Sequence, residues 1–433
     1  MKIRRVSAFQ VFDSRGNPTI EAEVQLGCGA LGRGLVPSGA SKGVSEALEL
    51  RDGDSSRFHG KSVERAIAHV NHEIARAICG MNADSQADVD RVLIELDGTP
   101  NKSRLGANAI LAVSLAVANS AAISQGKPLF ESLSGGRANL MPLPEIQIFG
   151  GGAHANRRTD VQDFLVVTTG AETYLESLET AFLVYNTAAD ILKERNRYYG
   201  VADEGGYWPE FSTNEEVLDV LLEAIVRAGF QPGKDVAISL DIAASELFDE
   251  RTGKYRFNHP KEEFTSQEFI DLMGRWCEKY PILSLEDPMS EKDWPGWKGI
   301  YGKLGKKIQL VGDDLFCTNV DRIHRGIQAG VANAVLVKPN QIGTVTETIA
   351  AIRLTQEAGW LPIVSARSGE TEDVFISHLA VATNAGQIKV GSFARSERMA
   401  KWNELIRIER ALGGRAQFRG ARIFETLGIS LAF

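Results

Sequence analysis

Six short segments in the second half of the chain run from apolar residues into a side chain of a type that does chemistry. They are VAISLD, ending on Asp241; PILSLED, with Glu286; IQLVGDD, with Asp313; NAVLVK, ending on Lys338; PIVSARS, with Arg367 and Ser368; and GQIKVGS, with Lys389. Three carboxylates are hard oxygen donors, the kind Mg2+ prefers, where zinc takes His and Cys. Gathered without a cation, they would repel one another and raise their own pKa values. A lone Asp after a strand is equally well explained as a helix N-cap. Three acids at successive strand ends, with two lysines beyond, favour a metal. Near a metal and a second cation, Lys338 would have a depressed pKa and serve as a base. Lys389 suits a fixed charge for a substrate carboxylate. Arg367 and Ser368 offer a planar fork and a hydroxyl, suited to phosphate. A metal site beside an anion site outlines a reaction on a small carboxylate or phosphate ester.

Three upstream loops add candidates. VADEGGYWPE sets Asp203 and Glu204 before a Gly-Gly turn, where backbone can pass close to a ligand. FGGGAHANRRTDVQDF places three glycines before His154, then Gln162 and Asp163. VPSGASKG reads as a mobile loop with hydroxyls at Ser38 and Ser41, or as a plain surface turn. Gly27, Gly29 and Gly32 spell G-x-G-x-x-G, but no helix start follows and no βαβ unit surrounds them. They read as a glycine-rich hairpin, not as a dinucleotide site.

The elements that must position these residues divide into two groups. Residues 1–50 carry short alternating runs broken by Gly, Asn and Pro, and SVERAIAHVNHEIARAI and GANAILAVSLAVANSAAISQ carry helical spacing. Together they predict a compact α+β unit over residues 1–134. From residue 135 to 433, apolar strands alternate with helical segments, and the catalytic-type residues recur every 22 to 45 positions. That rhythm predicts an α/β barrel with its site at the C-terminal strand ends. A doubly wound open sheet is the alternative, but it gathers its site at a single switch point.

Bulk properties set limits. The 433 residues carry a net charge of −8 with no block of one sign, which argues against nucleic acid as a partner. A local cluster of Lys and Arg within an acidic chain fits a small anionic substrate. The four cysteines form no CxxC pair, so reduced thiols in the cytoplasm are expected. No signal-like segment opens the chain and no apolar run approaches 18 residues, so no membrane span is expected.

The motifs DSRGNPT, VPSGAS, EALELRDGD, LDGTPNKSRLGANAILAVSLA, DEGG, LVGDDLF, NQIGT, SGETED and LAVATNAGQIK carry a resemblance. The chain resembles the enolase (phosphopyruvate hydratase) family over nearly its whole length. The resemblance implies an N-terminal α+β cap on a C-terminal (β/α)8 TIM barrel, interconverting 2-phosphoglycerate and phosphoenolpyruvate through an enediolate. It implies two Mg2+ sites, the second completed by substrate. Asp241, Glu286 and Asp313 match ligands of the tightly bound ion, and Ser38 matches the loop ligand of the second. Lys338 matches the base and Glu204 the general acid. Asp163 is expected among the catalytic residues and His154 and Gln162 in substrate binding, while Lys389 matches the carboxylate contact and Arg367 and Ser368 the phosphate contacts. Family members are commonly homodimers or assemblies of dimers.

Departures cluster around the expected site. Ala366 stands where the family has histidine, Asp163 where it has glutamate, and Lys42 where it has threonine. Asn-Gly-Gly has become Gly150-Gly151-Gly152, and GGFAP has become GGYWP. Three functions follow as expectations. One is an enolase. Another keeps the metal and enolate chemistry on a different substrate, such as a carboxyphosphonoenolpyruvate-type phosphonate reaction. The third is a non-catalytic paralogue, which retention of the acids, Lys338 and Lys389 argues against.

Overall fold

Alternating apolar residues near the start of the chain build an antiparallel meander of β1 (Ile3–Phe12), β2 (Pro18–Leu26) and β3 (Leu31–Leu35). The coordinates are a computed structural model that describes residues 1–430, with every side chain among them except that of His154. Gly27 and Gly29 lie in the β2–β3 turn, where Gly29 takes a φ of +95°. Gly32 lies so close to the backbone of Ala116 and Ser120 that a Cβ would collide. The three glycines thus serve a hairpin and its packing on a helix.

Two helices follow, α1 (Gln86–Asp97), which packs on its successor, and α2 (Ala107–Ser124), which covers the sheet. The second corrects the expectation that no apolar run approaches 18 residues. It has 18 residues with a mean hydropathy of 1.6, yet 83% of it is buried inside the fold. It is apolar on every side because it is enclosed by β2, β3 and its neighbouring helices.

The rest of the chain closes an eight-stranded barrel. Its strands are β4 (Leu143–Gly150), β5 (Asp163–Val167), β6 (Ala237–Asp241), β7 (Ile282–Glu286), β8 (Gln309–Gly312), β9 (Ala334–Val337), β10 (Leu361–Ser365) and β11 (Gln387–Gly391). Two helices, α3 (Tyr174–Glu194) and α4 (Asn214–Arg227), separate β5 from β6. A last long helix, α5 (Ser396–Leu412), follows β11.

One strand breaks the regular parallel order. β5 runs antiparallel to both β4 and β6, while the other neighbours pair in parallel. The cause is local. Between Gly150 and Asp163 there is only a 3-10 turn, Gly152–Ala155. A short loop can return the chain antiparallel, whereas a parallel neighbour needs a crossover of a dozen or more residues, usually a helix. The reversal has a functional consequence. Asp163 begins its strand at the face where the others end, opposite Gly150 and Asp241.

The barrel interior is layered. At the bottom, Leu143, Val167, Leu283 and Leu336 pack against Ile423 and Phe424 of the C-terminal segment Gly420–Leu427. Above them lies a polar layer. Ser239 Oγ donates to Glu145 Oε2 at 2.9 Å, and Gln387 Nε2 donates to Glu145 Oε1 at 3.2 Å. Burial pushes the Glu145 carboxyl above the usual range.

Candidate active site

The strand ends meet as the spacing predicts. Asp241 and Glu286 are register partners on β6 and β7, and Ser365 on β10 faces Lys389 on β11. Lys389 Nζ sits among three carboxylates, 2.7 Å from Glu286 Oε2, 3.1 Å from Asp241 Oδ2 and 3.3 Å from Asp163 Oδ2. Gln162 Nε2 donates to Asp241 Oδ2 at 3.0 Å. Lys338 Nζ is hydrogen-bonded to Asp313 Oδ2, and Gln341 Nε2 donates to Asp313 Oδ1 at 2.7 Å. All these side chains except Lys338 are buried, as is Glu204.

Electrostatics follows from that crowding. Burial, then the Asp241 charge, raises the Glu286 carboxyl well above the carboxylate range, with Lys389 acting against them. Its Oε1 is buried with no hydrogen-bond partner among the described residues. Burial works to lower Lys389, but Asp241, Glu286, Asp163 and Glu204 hold its ammonium well above the ordinary value. For Asp313, burial opposes ionisation while Lys338 and Arg367 favour it, and the net shift is downward.

The depressed pKa expected of Lys338 belongs to the metal-bound site; among the protein's own charges the direction is upward. Burial would lower it; the Asp313 charge in direct contact outweighs that. The ammonium is the resting form while Asp313 remains its partner.

A second acidic set lies one residue further along each strand. Carboxylate oxygens of Asp287, Asp313 and Asp314 all fall within 4.8 Å of one another. Asp287 has a structural task there, accepting the backbone N–H of Asp313 at 3.0 Å and of Asp314 at 2.8 Å. Those bonds fix the turn that presents Asp313.

Arg367 is buried, and its guanidinium donates to Glu46 Oε2 at 3.1 Å, Asn340 Oδ1 at 3.1 Å and the Ser41 carbonyl at 2.9 Å. The Ala40 N–H donates to Ser368 Oγ at 2.7 Å. The 36–43 loop therefore lies directly on the PIVSARS strand end. Gly39 approaches the Arg367 guanidinium so closely that a Cβ there would displace it.

The two loop hydroxyls part company. Ser38 is held in a backbone bridge to Gly369, and its Oγ donates to Glu49 Oε2 at 3.0 Å. Ser41, not Ser38, lines the cavity with Gln162, Asp163, Glu204, Lys338 and Lys389. Lys42 also turns away, pairing with Glu49 at 2.7 Å beside a separate cavity. Ala366 does line the site cavity. His378 does not reach it, since it pairs with Glu404 at 3.2 Å and stacks on Phe130. His154 lies in the Gly152–Ala155 turn, and its side chain is outside the described residues.

Residues with no chemical signature of their own complete the site. Gln147 donates to Asp163 Oδ1 and accepts the Gly206 N–H at 2.8 Å, joining two loops. Glu46 came only as part of EALELRDGD and Gln341 only as part of NQIGT. Arg398, fully buried on α5, donates to the carbonyls of Arg367 at 2.6 Å, Ser368 at 2.8 Å and Val390 at 2.8 Å. Replacing it by methionine strips three buried carbonyls of a charged donor. The expected cost is about 3 kcal/mol of stability, read by urea titration, with a raised KM for a phosphate-bearing substrate.

This concentration of ionisable groups at a barrel mouth places the protein among the α/β-barrel enzymes that work on charged small molecules. Comparison with known proteins narrows the class. Residues 3–133 match the family described as enolase, N-terminal domain, and residues 138–427 match enolase, C-terminal TIM barrel domain. A protein of Desulfitobacterium hafniense (strain Y51) named Enolase 1 is 54% identical over 429 residues, covering 99% of this chain and 98% of that protein. The chain belongs to the enolase family. Its activity is that of a phosphopyruvate hydratase, a carbon–oxygen lyase interconverting 2-phosphoglycerate and phosphoenolpyruvate.

Proposed function

We propose that this activity is carried by Lys338 as base, Glu204 as general acid, and a Mg2+ ion held by Asp241, Glu286 and Asp313. The observation that carries this reading is the gathering at the ends of β6 to β11 of Asp241 and Glu286 around Lys389, with Asp313 in contact with Lys338. The donor set fits a divalent ion. It consists of hard carboxylates, and Glu286 Oε1 lacks a hydrogen-bond partner among the described residues. When bound, Mg2+ would supply charge stabilisation for the dianionic enediolate.

The residues of the chain do the rest. Lys338 takes the proton next to the carboxylate as the neutral amine, so its ammonium must first leave Asp313 and give up a proton to solvent. Lys389 exchanges carboxylate partners within the chain for the substrate's own. Glu204, buried at the Gly205-Gly206 turn, delivers a proton to the departing hydroxide, a poor leaving group by itself. Arg367 and Ser368 receive the phosphate, which must displace loop contacts such as Ser41 and Glu46. Asp163 and Gln162 hold Lys389 and Asp241 in place, and the resemblance to the family supports His154 as a substrate-binding residue. The loop ligand for a second, substrate-completed Mg2+ is Ser41, because Ser38 is committed to Glu49 and Gly369.

Ala366 motivated the changed-substrate reading together with Lys42. Lys42 is spent on Glu49, so the extra cation that reading needs is not at the cavity. The working division is a cap over residues 1–134 and a catalytic barrel over 135–433. Exposed Phe9, Phe12 and Phe58 on the cap, and Leu175, Phe182 and Leu183 on α3, support a homodimer. Free cysteines at 28, 79, 277 and 317 fit a reducing cytoplasm.

Magnesium titration by calorimetry tests this reading. Glu286 has a folded pKa raised above its unfolded value, so between those two values the folded chain holds a proton that the unfolded chain has lost. Its burial therefore costs stability increasingly as pH rises above the ordinary carboxylate value. A metal needs the carboxylate, so binding expels that proton. The expected results are Mg2+ affinity that climbs with pH and a heat that depends on the buffer's ionisation enthalpy. No binding, or a buffer-independent heat, would contradict the assignment.

A further inference from the structure

We infer that Arg158 and the aromatic pair Trp208 and Tyr199 form a latch that positions the 151–163 loop against the loop carrying Glu204. The Arg158 guanidinium carbon lies 4.7 Å from the Trp208 ring centroid and 5.3 Å from that of Tyr199. These are cation–π distances. Among the described residues Arg158 has no carboxylate within ion-pair range, so the rings are its charge partners.

The indole argues the same way. Trp208 Nε1 is buried without a hydrogen-bond acceptor among the described residues, with Gly200 close beside it. A tryptophan kept for its N–H would have a partner. What Trp208 supplies here is its face.

The latch closes a loop pair that is already tied at its base. The Gly150 N–H donates to the Tyr207 carbonyl at 2.8 Å, and Gln147 bridges Gly206 to Asp163. The 151–163 loop ends in Gln162 and Asp163, and the facing loop holds Glu204 two residues before Gly206. Fastening the tips as well as the base holds the acid and the Asp163–Lys389 group at one spacing. Trp208 and Arg158 are positioning residues, since neither lines the cavity.

The inference rests on the proposed roles of Glu204 and Asp163, but its test has an arm independent of activity. Trypsin cuts after arginine, and Arg157 and Arg158 both lie in the latched loop. Trp208→Ala is expected to speed nicking there at least several-fold, while Trp208→Phe, which keeps an aromatic face, stays near the wild-type rate. With 2-phosphoglycerate as substrate, Arg158→Gln and Trp208→Ala are each expected to lower kcat about three- to thirtyfold. Mg2+ binding should be unchanged, and the double variant should be no worse than either single one. Unchanged nicking in Trp208→Ala overturns the latch, as does failure of Trp208→Phe to rescue. If Trp208→Ala fails to fold, Arg158→Gln decides: kcat within twofold of wild type overturns the proposal. An inactive wild type with loop nicking that still follows the aromatic face would instead count against the assigned activity alone.

Discussion

Replacing Lys338 by alanine is expected to lower kcat for dehydration of 2-phosphoglycerate by about a thousandfold, within the range for loss of a general base. The site holds two lysines, and Lys389 is tied to Asp163, Asp241 and Glu286. Only Lys338 has a single carboxylate partner, Asp313, so only it can be freed by neutralising one group. Asp313 keeps Gln341 in the variant, so folding and Mg2+ binding should survive. Lys338→Arg sharpens the test, because a guanidinium keeps the charge but does not deprotonate in proteins. Steady-state assays should find both variants equally crippled. An arginine variant retaining a tenth of the activity would show that the position supplies charge and not basicity.

Lys389→Met is expected to be the most destabilising single change in the site. It removes one ammonium from three buried carboxylates. Breaking a buried network by deleting one partner costs about 3–5 kcal/mol, because the remaining charges are left uncompensated. Added Mg2+ should recover much of that loss, by about 2.7 kcal/mol at a hundred times its dissociation constant. At the same Mg2+ concentration the wild type should gain less, because its ammonium competes with the ion for the same carboxylates and weakens its binding. Turnover should fall about a hundredfold or more, since an oriented donor to the developing enediolate is gone. Thermal unfolding with and without Mg2+ reads the stability; a variant as stable as wild type in chelator would contradict the arrangement around Lys389.

The strand ends were legible because barrel strands of this length leave a chemical signature: an apolar run closed by one charged residue. Asp241, Glu286, Asp313, Lys338 and Lys389 stand together for that reason. The direction of β5 was not legible as periodicity, since a reversed strand has the same alternation. Only the missing helix between Gly150 and Asp163 hints at it. Ser38 and Ser41 show a different limit. Two hydroxyls in one loop are equivalent in sequence, and the bridge to Gly369 and the bond to Glu49 separate them. The direction of the Lys338 shift depends on which charge is nearest, and sequence does not show that Asp313 is in direct contact. Glu46 acts on a partner hundreds of residues away, Gln147 on a carboxylate and a backbone N–H in two separate loops, and Arg398 on backbone carbonyls, so spacing carries no trace of them.

The most direct measurement is phosphoenolpyruvate formation from 2-phosphoglycerate by the intact protein, with Mg2+ and after its removal by chelator. The expected result is turnover of about 10 s−1 or more, an ordinary enzyme rate, abolished by chelation and restored by Mg2+. Protein that binds both Mg2+ and 2-phosphoglycerate yet forms no phosphoenolpyruvate would contradict the account.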